Sequence, residues 1–140
     1  MSAEENKALV HRFIEEVFNQ HNADAIDTYM SSDYVDHVVP PGVPPTREGF
    51  KSFVKIFFAA FPDFRYTIDD EIAEGDRVVQ RLTARGTHQG EFQGIPATGK
   101  QATWSELHVG RVVGGKLVEH WGNIDQLAML QQLGVIPPMG

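Results

Sequence analysis

Residues 102–124, ATWSELHVGRVVGGKLVEHWGNI, decide the fold. Two runs rich in β-branched and aromatic residues are joined by Gly114-Gly115, the two-residue link whose glycines accept the positive φ that a tight hairpin requires. Ala102 to Val113 and Lys116 to Ile124 are therefore antiparallel neighbours. Upstream, Phe64 to Ile72 and Arg77 to His88 are two more β-like runs, parted by Glu74-Gly75-Asp76, and a long Gly/Pro loop from Gly90 to Lys100 leads back to the quoted stretch. Phe61-Pro62-Asp63 closes whatever precedes the strands, because proline lacks an amide donor and biases the residue before it away from helix.

The segment before the strands is helical. From Glu4 to Gln20, Ala8, Leu9, Phe13, Val17 and Phe18 recur at helical spacing, with Val10 and Ile14 widening the stripe. Asn22 to Met30 reads as a second, short helix through Ala25, Ile26, Tyr29 and Met30. Ser31 to Val39 is extended, and Pro40, Pro41, Gly42, Pro44 and Pro45 make a rigid loop suited to a rim. Thr46 caps a helix to about Ala60 whose Phe50, Phe53, Val54, Phe57 and Phe58 mark it as a core element. Gln126 to Leu133 adds a last helical piece, stopped by Gly134. Helices first and a meander of strands after predict an α+β fold, in which three N-terminal helices pack on the concave face of a curved, mostly antiparallel sheet of four to six strands. Such a sheet encloses a pocket for a small organic molecule.

With 140 residues, 41% hydrophobic and 22% charged, the chain reads as a single domain over 1–140. The absence of cysteine excludes disulfides, thiolate metal sites and cysteine nucleophiles, and suits the cytoplasm. Met1 to Lys7 is polar and acidic, and no apolar run approaches the roughly 18 residues that cross a bilayer, so neither export nor membrane insertion is expected. A formal charge of -7 without a basic cluster disfavours nucleic acid and anionic lipid. That leaves small hydrophobic molecules and protein partners, including a second copy of the chain meeting the outer sheet face of Val79, Arg81, Thr83 and Arg85.

Side chains alternate along a strand, so Leu117, Glu119, Trp121, Asn123 and Asp125 share a face if no bulge intervenes, while Trp104, Glu106 and His108 form a wall on the neighbouring strand. A buried carboxylate and a histidine in an apolar pocket are the materials of proton transfer. Asp125, His108 and His37 are the candidate catalytic residues, with Tyr34, Trp104, Glu106, Trp121 and Asn123 as pocket residues. Asp125 also directly precedes a helix, and a capping role stands beside the catalytic one. His37, next to the proline loop, is equally suited to exposure or a local hydrogen bond. His11, His21 and His120 read as peripheral and His88 as a structural hydrogen bonder. No histidine pair has zinc-ligand spacing, Gly99-Lys100 lacks the glycine and hydroxyl residue of a phosphate loop, and there is no G-x-S-x-G elbow. Neither a metal nor a nucleotide cofactor is expected.

Tyr34-Val35-Asp36-His37, Ala60-Phe61-Pro62-Asp63, Ile72-Ala73-Glu74-Gly75-Asp76-Arg77-Val78-Val79, the stretch from Gly86 to Lys100, and Gly115-Lys116-Leu117-Val118-Glu119-His120-Trp121 leading through Asp125 to Gln132-Leu133-Gly134 carry a resemblance over nearly the whole chain. They resemble the SnoaL-like polyketide, or ester, cyclases of the NTF2-like (cystatin-like) α+β cone superfamily. The resemblance implies a cofactor-independent enzyme that closes a ring by intramolecular aldol condensation on a polyketide ester, with an aspartate as general acid/base matched in motif context by Asp125 and histidines nearby. His37 and His108 match less closely, and Trp121, Asn123 and Trp104 fall where the family places pocket residues. It also implies homo-oligomers. Because one fold hosts many activities, a non-catalytic binding or dimerisation module and an isomerase or dehydratase are the alternatives.

Overall fold

The computed structural model describes residues 2–137; residues 1 and 138–140 of the expected single domain lie outside them. Helix α1 (Ala3–Phe13) opens with a capping box, in which the Ser2 hydroxyl accepts from the Glu5 amide and the Glu5 carboxylate from the Ser2 amide. It continues through a π-helical turn at Ile14–Asn19, so the predicted first helix is one unbroken rod whose Leu9, Val10, Phe13, Ile14, Val17 and Phe18 are buried. A 3₁₀ turn at Ala23–Ala25 and helix α2 (Ile26–Tyr29) turn the chain back into strand β1 (Met30–Asp36). Helix α3 (Arg47–Ala60) starts where the Thr46 hydroxyl accepts from the Gly49 amide, 3.1 Å away.

Strands β2 (Arg65–Glu74), β3 (Arg77–Thr87), β4 (Gln101–Val113) and β5 (Lys116–Ile124) form the expected meander, and helix α4 (Gln126–Gln132) follows. The sheet order is β1-β5-β4-β3-β2, with β1 parallel to β5 and every other pair antiparallel. It is a five-stranded mixed sheet, not closed into a barrel. Gly114 and Gly115 both take positive φ (58° and 78°), as a hairpin link with the twist of its strands demands.

The sheet buries one face. On β3, Val78, Gln80, Leu82 and Ala84 point inward, and on β4 Ala102, Trp104, Glu106 and Val112 do. Above them Phe18, Phe57, Phe64 and Tyr66 meet edge to face, with ring centres 4.7 Å apart for Phe57–Phe64 and 5.0 Å for Phe18–Tyr66. Phe50, Phe53 and Phe57 pack on this core while turning part of each ring to a hollow between sheet and helices.

Strand β5 departs from simple alternation. Arg111 pairs with Glu119, but its neighbour Val112 pairs with Leu117, which leaves Val118 as an extra residue. A bulge of this kind shifts the phase of every side chain beyond it. Leu117 faces inward, and after the bulge His120 and Gly122 line the hollow instead of Glu119 and Trp121. The single face expected for Leu117, Glu119 and Trp121 in the absence of a bulge, the pocket place of Trp121 and the peripheral place of His120 are corrected on this account. Among the described residues, no helix is long and apolar enough to cross a membrane.

Candidate active site

Between α1, α3 and the inner sheet face lies a cavity of about 680 Å³, within the size of a pocket that holds one small organic molecule. One side is apolar, walled by Phe13, Phe50, Phe53, Val54 and Phe57, and its mouth runs past Val39, Pro40, Pro41 and Val43 of the predicted rim loop. Polar groups gather on the sheet side. Among the described residues no lysine or arginine lines it.

Four side chains on that side form a line of hydrogen bonds. Asp36 Oδ1 lies 2.9 Å from His120 Nδ1, His120 Nε2 lies 2.7 Å from His108 Nδ1, and His108 Nε2 lies 2.7 Å from Glu106 Oε1. Both ends are anchored. Asp36 also accepts from the Tyr34 hydroxyl (2.8 Å) and the Val38 amide (2.9 Å), and Glu106 accepts from the Tyr66 hydroxyl (2.6 Å) and the Trp104 indole (2.7 Å). Asp36 and Glu106 are buried, whereas the two imidazoles keep partial exposure.

Burial would raise the Asp36 carboxyl, but hydrogen bonds from His120, the Val38 amide and Tyr34, with the attraction of His120, outweigh it and hold the group below the usual aspartate range. Asp36 is therefore ionised near neutral pH and can only accept. Burial, together with the adjacent carboxylates, pushes the phenols of Tyr34 and Tyr66 upward, so both stay protonated donors.

With Asp36 ionised, His120 Nδ1–H donates to it, which leaves His120 Nε2 facing His108 Nδ1 and His108 Nε2 facing Glu106. A line of donors and acceptors of this kind can carry a proton.

Gly122 makes the arrangement possible. A Cβ built there falls 2.6 Å from His108 Nδ1 and 3.1 Å from His120 Nε2, so any side chain at 122 would occupy the space in which the imidazoles meet. A glycine within a strand often marks such a close approach.

The sequence candidates divide in two. Tyr34, Trp104, Glu106 and His108 are brought together on the cavity wall, and Asn123 reaches its mouth. Asp125, His37 and Trp121 lie elsewhere. Asp125 is exposed and caps α4, its Oδ1 accepting from the Ala128 amide at 3.1 Å. His37 bonds Glu119 (2.8 Å) on the outer face and stacks on Trp121 with ring centres 4.8 Å apart, while Arg77 covers the same indole at 5.0 Å. Bonds from His37 and Arg111 hold the Glu119 carboxyl below its usual range.

Sequence reasoning missed Asp36, His120 and Gln80, all of which line the cavity. Asp36 carried a usable signal: it stands two residues from Tyr34, so a buried Tyr34 brings Asp36 inward and sends His37 out. For His120 the signal was Gly122, a glycine in mid-strand.

Comparison with known proteins bears on the fold and the family. The SnoaL-like polyketide cyclase family model matches residues 8–133. The chain is 30% identical over 129 residues to aklanonic acid methyl ester cyclase DnrD of Streptomyces peucetius, covering 90% of this chain and 88% of that one. It is 29% identical over 119 residues to nogalonic acid methyl ester cyclase of Streptomyces nogalater, covering 84% and 89%. The crystal structure of IdmH, a putative polyketide cyclase from Streptomyces antibioticus, superposes with a TM-score of 0.79 at 36% identity, covering 93% of this chain and 99% of that one. With its fold, its cavity and a family match over nearly its whole length, the chain belongs to the SnoaL-like polyketide cyclases.

Proposed function

We propose that this protein closes a carbon ring in a small hydrophobic polyketide-type ester by intramolecular aldol chemistry, with no cofactor. The observation that carries the reading is the Asp36–His120–His108–Glu106 line in the wall of an otherwise apolar cavity. A C–H bond next to a carbonyl breaks as its proton passes to His120 Nε2, which turns from His108 Nδ1 toward the cavity to take it, and Asp36 stabilises the imidazolium so formed. The enolate carbon then bonds to an internal carbonyl carbon, and the proton passes back to the new alkoxide. Reactant and product are isomers, so the reaction needs no oxidant, reductant or second substrate. An ester suits the lining better than its free acid, because a carboxylate would face Asp36 and Glu106 with no lysine or arginine to offset it.

The cap at Asp125 taken alone is what a non-catalytic module of this fold would show. Binding alone, however, gives no reason to bury a carboxylate–imidazole line in the wall, and that favours the enzyme. Incubation of the purified protein, dialysed against EDTA, with an anthraquinone-type β-keto methyl ester tests the reading by chromatography. Conversion to a cyclised isomer of unchanged mass, at an undiminished rate after dialysis, is the expected result. A rate equal to that in buffer alone would contradict it.

The same reading includes a cytoplasmic location, which a cysteine-free chain suits, and self-association through the outer sheet face. Ile72 is 65% exposed there and Leu107 47%, and the register aligns Ile72, Val79, Val109 and Trp121 in one row across four strands. Light scattering is expected to show a dimer or tetramer of the 15.6 kDa chain, and a monomer at all concentrations would rule this out.

A further inference from the structure

Three buried polar atoms have no hydrogen-bond partner among the described residues: Asn6 Oδ1, His88 Nε2 and Gln80 Nε2. The first two belong to side chains that are bonded through their other polar atom. Asn6 uses its amide nitrogen on the Gly75 carbonyl at 3.3 Å, and His88 stacks on Phe61 with its other ring nitrogen 3.1 Å from the Thr98 hydroxyl. Neither lines the cavity. Gln80 does, on the inner face of β3 between buried Val78 and Leu82, and it is only 2% exposed.

An amide placed this way costs stability, since it has given up water and received no partner in return. Its position suggests a use. Gln80 is the direct cross-strand partner of His108, so the two side chains stand next to each other on one face, within the roughly 5 Å that separates facing Cβ atoms. The base that removes a proton and an unused donor are thus neighbours on the same wall. A carbonyl whose α-carbon faces the imidazole pair presents its oxygen one strand away, toward β3.

We propose that Gln80 is a catalytic residue of this site: its amide donates to the oxygen on which negative charge develops when the substrate becomes an enolate. The inference rests on the proton-transfer reading above, and it names the oxyanion donor that reading requires. The amide is already stripped of water before the substrate arrives, and a small turn of its side chain toward the cavity gives it, in the developing charge, the partner it lacks. The missing partner in the empty site is then the substrate oxygen itself.

The proposal separates from a structural role by the sign of the stability change. Gln80→Leu removes an unpaired buried amide and fills similar space, so the melting temperature holds or rises, and Gln80→Met serves the same purpose if leucine packs poorly. With a polyketide methyl ester, kcat is expected to fall roughly 10²-fold while KM stays within about threefold, the split that marks a contact made in the transition state. A second arm is independent of turnover. In calorimetry, 2-naphthol offers an aromatic oxygen and naphthalene the same skeleton without it, and Gln80→Leu is expected to weaken naphthol binding about tenfold, the scale of one neutral hydrogen bond, while leaving naphthalene within about twofold. If wild-type protein turns nothing over, the cyclase reading fails while the naphthol comparison still decides Gln80. A wild-type protein that does not prefer naphthol, a variant that keeps the preference, or a melting temperature that falls together with both affinities would each overturn the proposal.

Discussion

Replacing His120 with alanine is expected to lower the rate of ring closure by about 10² to 10⁴-fold, the usual scale of a general acid/base contribution, with the fold intact. The imidazole is the junction of the line: without it the Asp36 carboxylate is cut off from His108, and no group carries charge between them. Asp36→Asn is expected to act in the same direction, because an amide nitrogen facing His120 Nδ1 favours the wrong tautomer. It also alters the acid limb of stability. The folded-state value of Asp36 lies below the unfolded one, so its contribution is complete above about pH 4 and is lost as pH falls through the depressed value; Asp36→Asn removes that component. Asp125 is the contrast. Asparagine caps a helix as well as aspartate, so Asp125→Asn is expected to leave both rate and melting temperature unchanged, while Asp125→Ala costs about 1 kcal/mol of stability. A large rate loss in Asp125→Asn on a cyclised substrate, with His120→Ala near wild type, would return the chemistry to Asp125.

The second large effect belongs to Glu106, where activity and stability fall together. Its carboxyl accepts from Tyr66 and Trp104 and meets His108, each within 2.7 Å. Glu106→Leu leaves a buried phenol and a buried indole without their acceptor, at about 1–3 kcal/mol for each unsatisfied group. We expect a loss of about 3 kcal/mol, a melting temperature lower by roughly 10 °C for a chain of this size, and activity reduced at least about 10²-fold at temperatures where the variant is folded. Glu106→Gln keeps one acceptor oxygen and should recover part of the stability but little of the rate. Thermal melts beside turnover separate these outcomes, and an unchanged melting temperature in Glu106→Leu would show that the bonds at Glu106 contribute nothing.

The elements were legible because each carries its own local signal. Thr46 caps α3, Pro62 lies just beyond its end, Gly114-Gly115 turns the β4–β5 hairpin, and the phenylalanines of α3 recur at helical spacing, so the α+β order followed from the residues. The wall formed by Trp104, Glu106 and His108 was legible too, because β4 alternates without interruption. The inward turn of His120 depends on a bulge that β5 does not announce, although Gly122 hints at the close approach beside it. One extra residue at Val118 reverses the phase of β5, bringing His120 in and sending Trp121 out, and it arises from pairing with β4. The parallel pairing of β1 beside β5, which brings Asp36 to His120, is likewise a long-range contact. Asp125 illustrates the opposite case: its capping role is written in the sequence around it, and its distance from the cavity is not.

If the Asp36–His120–His108–Glu106 line removes a proton from carbon, hydrogen exchange on a substrate reads that event directly. A β-keto methyl ester deuterated at its acidic carbon, incubated with protein in ordinary water and followed by NMR, is expected to lose deuterium far faster than in buffer, with the rate falling at least about 10²-fold in both His120→Ala and Asp36→Asn. Exchange no faster than in buffer, or exchange that both variants sustain at the wild-type rate, would contradict the account.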